Sequence, residues 1–202
     1  MGLPTPRTAE ELLPPFAVVG EPGWDSRLRA WLTDFDFRFA APSSPAEVAA
    51  AESRLGVRLP ADWRAFLLAF GPLDLDRVRL SAPSQIVRMG GVWFRPHLSE
   101  RERALLPGLL QVGECGSDNY IALSTADGWV CECCHDPGGL YDWCPSFGDF
   151  LRVQLVRLWS GYYGWPDPEV GQLSDGLAEH WLAGWGLQRH AEPVAAADTA
   201  AQ

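Results

Sequence analysis

Lysine is absent from the 202 residues: all 16 basic side chains are arginine. With the rich alanine, glycine and proline content, this marks a compositional bias of the coding sequence, and no function is attached to it. Long apolar runs are missing too. Nothing approaches the roughly 20 consecutive apolar residues that span a bilayer, which excludes a transmembrane helix. The one early apolar stretch, Leu12 to Val19, is interrupted by Pro14 and Pro15 and follows Glu10 and Glu11, a poor match to a signal peptide. Cysteines number five, an odd count without the scattered spacing of a secreted disulfide framework. A cytoplasmic location is therefore expected. No G-x-S-x-G, P-loop or G-x-G-x-x-G motif occurs, so the corresponding hydrolase and nucleotide chemistries have no sequence support.

What is present is a globular composition, 47% hydrophobic and 21% charged, with ten tryptophans that must be mostly buried. The length suits one full core. Net charge is −10, and its distribution says more than its size. Residues 105–150 hold seven acids and no arginine. A phosphate backbone is repelled by such a block, so no nucleic-acid partner is expected, and no membrane partner either. A basic protein is attracted to it.

Local patterns divide the chain. Ser44, Pro45 and Glu47 form a capping box with proline at the first helical position, Val48, Ala51 and Leu55 recur at helical spacing, and Gly56 stops the helix. Pro60 opens a second helix with the stripe Trp63, Phe66, Leu67 and Phe70, ended by Gly71. Upstream, Trp24, Leu28, Trp31 and Leu32 mark a short helix, and Phe35, Phe37 and Phe39 have the period of a strand. Residues 77–88 read as short extended pieces around Pro83. Ser99 and Glu102 make another capping box. Strands are expected near 109–112, 119–123 and 128–133, separated by turns at Gly113–Gly116 and Asp127–Gly128. Ser146 caps a helix carrying Phe147, Phe150, Leu151, Leu155 and Leu158, and Ser174 starts a last one with Leu177, Trp181 and Trp185. Helices at both ends around central strands, without β-α alternation, predict an α+β fold with a mixed or mostly antiparallel sheet.

The order of acidic amphipathic helix, G-V-x-L-P (56–60), aromatic-leucine helix and glycine resembles the signature of the SUKH superfamily, which includes yeast cell-wall assembly regulators and many bacterial immunity proteins. LPGLLQVGECGSDNYIAL (106–123), DGWVCECCHDP (127–137) and PSFGDFL (145–151) are similar to its later motifs. The resemblance covers roughly residues 44–157. It implies a SUKH-like domain at 41–158, preceded by an N-terminal extension with a short helix (1–40). A helical extension (159–190) that packs on the same domain and a disordered tail (191–202) follow. Pro72 departs from the pattern, standing where the family often has a polar or glycine-rich turn.

The cysteine cluster offers one route to chemistry. Cys131 and Cys134 stand as C-x-x-C, and Cys115, Cys144 or His135 could complete a tetrahedral zinc site or a redox pair. Against this, Trp129 and Val130 make the segment a strand rather than a knuckle, so structural cysteines and no metal or other cofactor are expected. A deaminase lacks its upstream H-x-E. Cys134 and His135 are adjacent and point to opposite sides of an extended chain, so they do not form a nucleophile pair. On that strand Trp129, Cys131 and Cys133 share one face, and Val130, Glu132 and Cys134 the other.

The acidic block is laced with aromatics: Glu114, Asp118, Tyr120, Glu132, Asp136, Tyr141, Asp142 and Trp143 are the candidate partner-binding residues, with Asp136, Tyr141 and Asp142 read as turn residues. No catalytic residue is assigned. The resemblance implies a non-enzymatic bacterial immunity protein that neutralises a cognate toxin, a basic nuclease- or deaminase-type protein, by binding it. The alternatives are an intracellular regulatory scaffold of the cell-wall-regulator type, or a zinc- or redox-active protein using Cys115, Cys131, Cys134 and Cys144.

Overall fold

The structure, a computed structural model, describes residues 21–34, 37–75, 78–91, 98–116, 119–136 and 138–162, together with Val19 and Ala183. Apart from Ala183, the helix expected from Ser174 lies outside the described residues, as do Phe35 and the tail.

Three helices come first: α1 (Trp24–Asp34), α2 (Pro45–Leu55) and α3 (Ala61–Phe70). The start of α2 is the capping box read from the sequence. The Ser44 hydroxyl accepts from the Glu47 amide at 3.2 Å, and the Glu47 carboxylate accepts from the Ser44 amide at 2.7 Å. Gly56 ends it in the left-handed region. Helix α3 buries Trp63, Phe66, Leu67 and Phe70 completely, and Trp24 of α1 packs on Phe66 and Phe70. The N-terminal helix thus shares the core of the 41–158 region. Arg29 of α1 donates to the Ala69 carbonyl in the last turn of α3 at 2.7 Å, its guanidinium lying over the rings of Phe39 and Phe70.

A seven-stranded sheet follows: β1 (Leu73–Asp74), β2 (Val78–Leu80), β3 (Val87–Arg88), β4 (Leu109–Cys115), β5 (Asn119–Ser124), β6 (Val130–Cys134) and β7 (Gly139–Cys144). Its order is β1-β2-β4-β5-β6-β7 with β3 also beside β4, and every pairing is antiparallel. A short helix α4 (Glu100–Leu105) precedes β4, and α5 (Phe147–Tyr162) closes the described chain. The fold is α+β, as expected.

Period-2 alternation gives the sheet two coats. Leu110, Val112, Ile121, Leu123, Val130 and Cys144 face the helices and join the main core. Leu109, Ala122, Cys131, Cys133 and Leu140 face the other way, under Met89, Leu98, Leu105 and Leu106, with the rings of Trp129 and Trp143 tilted at 42° to each other, 4.3 Å between centroids. The second coat is latched by Glu102. Its carboxylate accepts from the amide and hydroxyl of Ser99 and reaches the Leu140 amide of β7 at 2.8 Å. The Leu140 carbonyl in turn accepts from the Trp143 indole at 2.8 Å.

Three local expectations need correction. Phe37 and Phe39 do alternate in burial with Arg38 and Ala40, yet residues 37–44 join no ladder. Their backbone serves α3 instead: the Ser43 amide donates to the Leu67 carbonyl. Gly113 is not a turn residue but lies inside β4, where a Cβ would stand 2.4 Å from the Arg79 carbonyl of β2. Tyr141 and Asp142 are not turn residues either. They belong to strand β7, which bulges against β6 between Val130 and Glu132, with Asp142 at a φ of +51°.

Candidate functional site

The register sorts the eight candidate binding residues. Asp74, Arg79, Glu114, Tyr120, Cys133 and Leu140 are successive cross-strand partners on β1, β2, β4, β5, β6 and β7, so they lie in one row on the face away from the main helices. Glu114 is exposed at its polar end, while Tyr120 is half-buried against the second coat. Glu132 and Tyr141 pair with each other, and Ile121, on the helix-bearing face, is the other partner of Glu132. Asp142 is held by Arg157 of α5. Asp136 is exposed in the β6–β7 hairpin, and Trp143 is half-buried on Trp129. Asp118 lies outside the described residues. The sheet therefore divides the acidic block between two surfaces.

On the first surface, at the hairpin end of β6 and β7, one amide organises the polar groups. Asn119 donates to Glu132 at 2.6 Å, and the Asn119 oxygen accepts from the His135 backbone amide at 3.2 Å, with the His135 Nδ1 3.0 Å away. Tyr141 stands beside them, 43% exposed, and with Val87 it is one of two exposed large hydrophobic side chains among the described residues.

The cysteines divide in the same way. Cys131 and Cys133 lie in the second coat, and Cys115 and Cys144 in the main core. Three positions along a strand put Cys131 and Cys134 on opposite faces, so one ion cannot take both members of the C-x-x-C pair. Among the described residues no group of three His, Cys, Asp or Glu side chains stands close enough to hold a metal. Burial, reinforced by the charge and hydrogen bond of Glu132, pushes the Cys115 thiol far up. Burial and the charge of Glu102 push Cys133 up to about 12, and burial with Asp142 raises Cys144. These are poor nucleophiles and poor thiolate donors.

The second surface went unseen in the sequence. The polar end of the cross-strand row lies in an open cleft of about 410 Å³, lined by Asp74 of β1, Arg79 of β2 and Gln111 and Glu114 of β4 together with Arg38 and Gln85. Arg79 stands 3.5 Å from Asp74 and 3.7 Å from Glu114. Residues 77–88 could be read as short extended pieces; the meeting of Arg79 with Arg38, Asp74 and Gln111 could not.

An antiparallel sheet coated by helices on one face and half coated on the other defines an α+β domain. Residues 42–153, more than half of the chain, match the SMI1 / KNR4 family (SUKH-1), and the chain belongs to that family. A search of curated proteins finds no match. No helix among the described residues is long and apolar enough to cross a membrane.

Proposed function

We propose that this chain is a non-enzymatic binding protein, an immunity protein that captures a basic toxin of the nuclease or deaminase type and covers its working surface. The observation that carries the reading is the exposed ring of Tyr141, set among Glu132, Asp136 and Asp142 in a stretch of 46 residues without one arginine. A rigid aromatic ring amid acids combines an anchor with long-range attraction. Asp142 already holds Arg157, so Glu132 and Asp136 supply most of the outward field. The raised thiols of Cys115, Cys133 and Cys144 favour binding over nucleophilic chemistry.

The test asks whether a toxin gene adjoins the gene of this chain and, where one does, co-expresses the two. Growth should be restored and a stoichiometric complex isolated. Asp136→Asn should slow association and flatten its salt dependence, whereas Tyr141→Ala should speed dissociation, at a cost of roughly 2 kcal/mol. Cells killed equally with and without the chain, or a complex indifferent to salt and to both substitutions, overturn the proposal.

A further inference from the structure

The ring of Tyr141 is laid down by the hairpin that carries it. Its phenol end lies over Gly139, where a Cβ would stand 2.7–2.9 Å from Cε2, Cζ and Oη, so only glycine leaves the ring that place. The hydroxyl donates to the Gly138 carbonyl at 3.3 Å. One side of the ring therefore rests on backbone, yet the residue stays 43% exposed. Glu132 is its cross-strand partner on the same face, and such pairs hold their Cβ atoms about 5 Å apart. That carboxylate is fixed as well. It accepts from the Asn119 amide at 2.6 Å and from the Cys115 thiol, and with about four acceptor sites it has room for another donor. Of the other charged groups here, Asp136 is exposed, Asp142 holds Arg157, and His135 is tied to Asn119.

The molecule shows elsewhere what a ring beside an oxygen acceptor takes. The Arg29 guanidinium lies 5.1 Å and 4.7 Å from the ring centroids of Phe39 and Phe70 while it donates to the Ala69 carbonyl at 2.7 Å. A planar guanidinium can do both at once, its charge over a ring and its N–H groups aimed at the acceptor. A compact ammonium cannot stack in this way. Among the described residues no cation lies over Tyr141.

We propose that Tyr141 and Glu132 form a clamp for one arginine side chain of the partner protein, its guanidinium stacked on the open side of the ring and bonded to the Glu132 carboxylate. Gly139 is the positioning residue, because it sets where the ring lies. The inference rests on the immunity reading for the partner's basic character, and the ring and its carboxylate supply the rest. Tyrosine and arginine are the side chains that most often anchor interfaces in pairs. A clamp of this kind distinguishes arginine from lysine, which diffuse attraction to acids does not.

The test titrates the full chain, ¹³C-labelled at tyrosine, with acetyl-Gly-Arg-Gly-amide and separately with acetyl-Gly-Lys-Gly-amide. The Tyr141 ring resonance, assigned by its loss in Tyr141→Leu, should move saturably, and the arginine peptide should bind about fivefold more tightly than the lysine peptide. Tyr141→Phe should keep that preference, whereas Tyr141→Leu and Glu132→Gln should remove it. Glutamine still accepts from Asn119, so the Glu132 variant tests charge without dismantling the hairpin. Equal binding of the two peptides, or a preference that survives Tyr141→Leu, overturns the clamp. The two readings fail separately. A chain that prefers the arginine peptide but does not protect cells loses only the immunity role, and one that protects cells without the preference loses only the clamp.

Discussion

Asp62, in the first turn of α3, reaches the backbone amide of Gly148 in the first turn of α5 at 3.3 Å, across 86 residues of chain. Its other carboxylate oxygen accepts from the Trp63 amide at 2.8 Å. One side chain thus serves two helix N-termini, where unpaired amides and the helix dipoles both favour a negative charge. It also fixes the approach of α3 to α5 at the point where Trp63 and Phe147 meet edge to face, 4.5 Å between centroids.

Asp62→Ala is therefore expected to destabilise the fold by about 1–2 kcal/mol, and Asp62→Asn, which keeps an acceptor but loses the charge, by less. Urea unfolding followed by tryptophan fluorescence measures both. Equal losses would assign the effect to charge alone.

Gly71 and Gly56 both have positive φ, +68° and +67°, but Gly56 is left-handed helical whereas Gly71, at ψ −150°, is in a region nearly reserved to glycine, and only Gly71 is crowded. A Cβ on Gly71 would stand 2.3 Å from the Ala41 carbonyl oxygen, whereas nothing lies within 4 Å of one on Gly56. Gly56→Ala should cost about 1 kcal/mol, for the backbone conformation, and Gly71→Ala about 3 kcal/mol or more, because the chain at Ala41 must move. Melting temperatures of the two variants, compared in one buffer, check the ranking.

Glu102 carries a pH signature. Burial alone would raise its carboxyl, but hydrogen bonds from the Ser99 hydroxyl, the Leu140 amide and the Ser99 amide outweigh it and hold the pKa below the ordinary value. A depressed carboxyl pKa contributes stability that is fully present above the unfolded value and lost as pH falls through the folded one. Wild type should exceed Glu102→Gln in stability at pH 7, and the gap should narrow as pH falls below the ordinary carboxylate range and through the depressed folded pKa. Denaturation curves from neutral to acid pH test it; a gap that does not narrow on acidification refutes it. The Glu47 carboxyl, lowered by the Ser44 amide and hydroxyl, acts in the same direction.

Thiol reactivity should follow burial. With Cys133 pushed up to about 12, about one such thiol in ten thousand is ionised at pH 8. Cys115 and Cys144, raised likewise, should also resist iodoacetamide in the folded chain, and half-buried Cys134 should label first. Mass spectrometry of peptides after brief labelling decides the order. Early modification of Cys115 or Cys144 would contradict the packing described.

Legibility from sequence ran parallel to locality. The α2–α3 unit could be read because its determinants sit within a few residues of each other: Ser44 with Glu47, Gly56 and Gly71 at the stops, Trp63 to Phe70 at helical period. The two faces of β6 followed from strict alternation around Cys131 and Glu132. Strand β7 could not be read, because glycine at 139 and a left-handed Asp142 look like a turn until β6 supplies a ladder. The acidic block misled for a similar reason. Charge summed along a chain ignores the pleat, which sends Glu114 and Glu132 to opposite sides of the sheet. The cleft needed Arg38, Asp74, Arg79 and Gln111 from separate segments, and no local pattern announces such a meeting.

The double engagement of Leu140 has a consequence for the chain in quantity. Its amide and carbonyl are the groups that a stray strand would seek on the margin of β7, and Glu102 and Trp143 already hold them. Copies of the molecule brought close together therefore find these two groups already taken, and the edge offers them no foothold at Leu140.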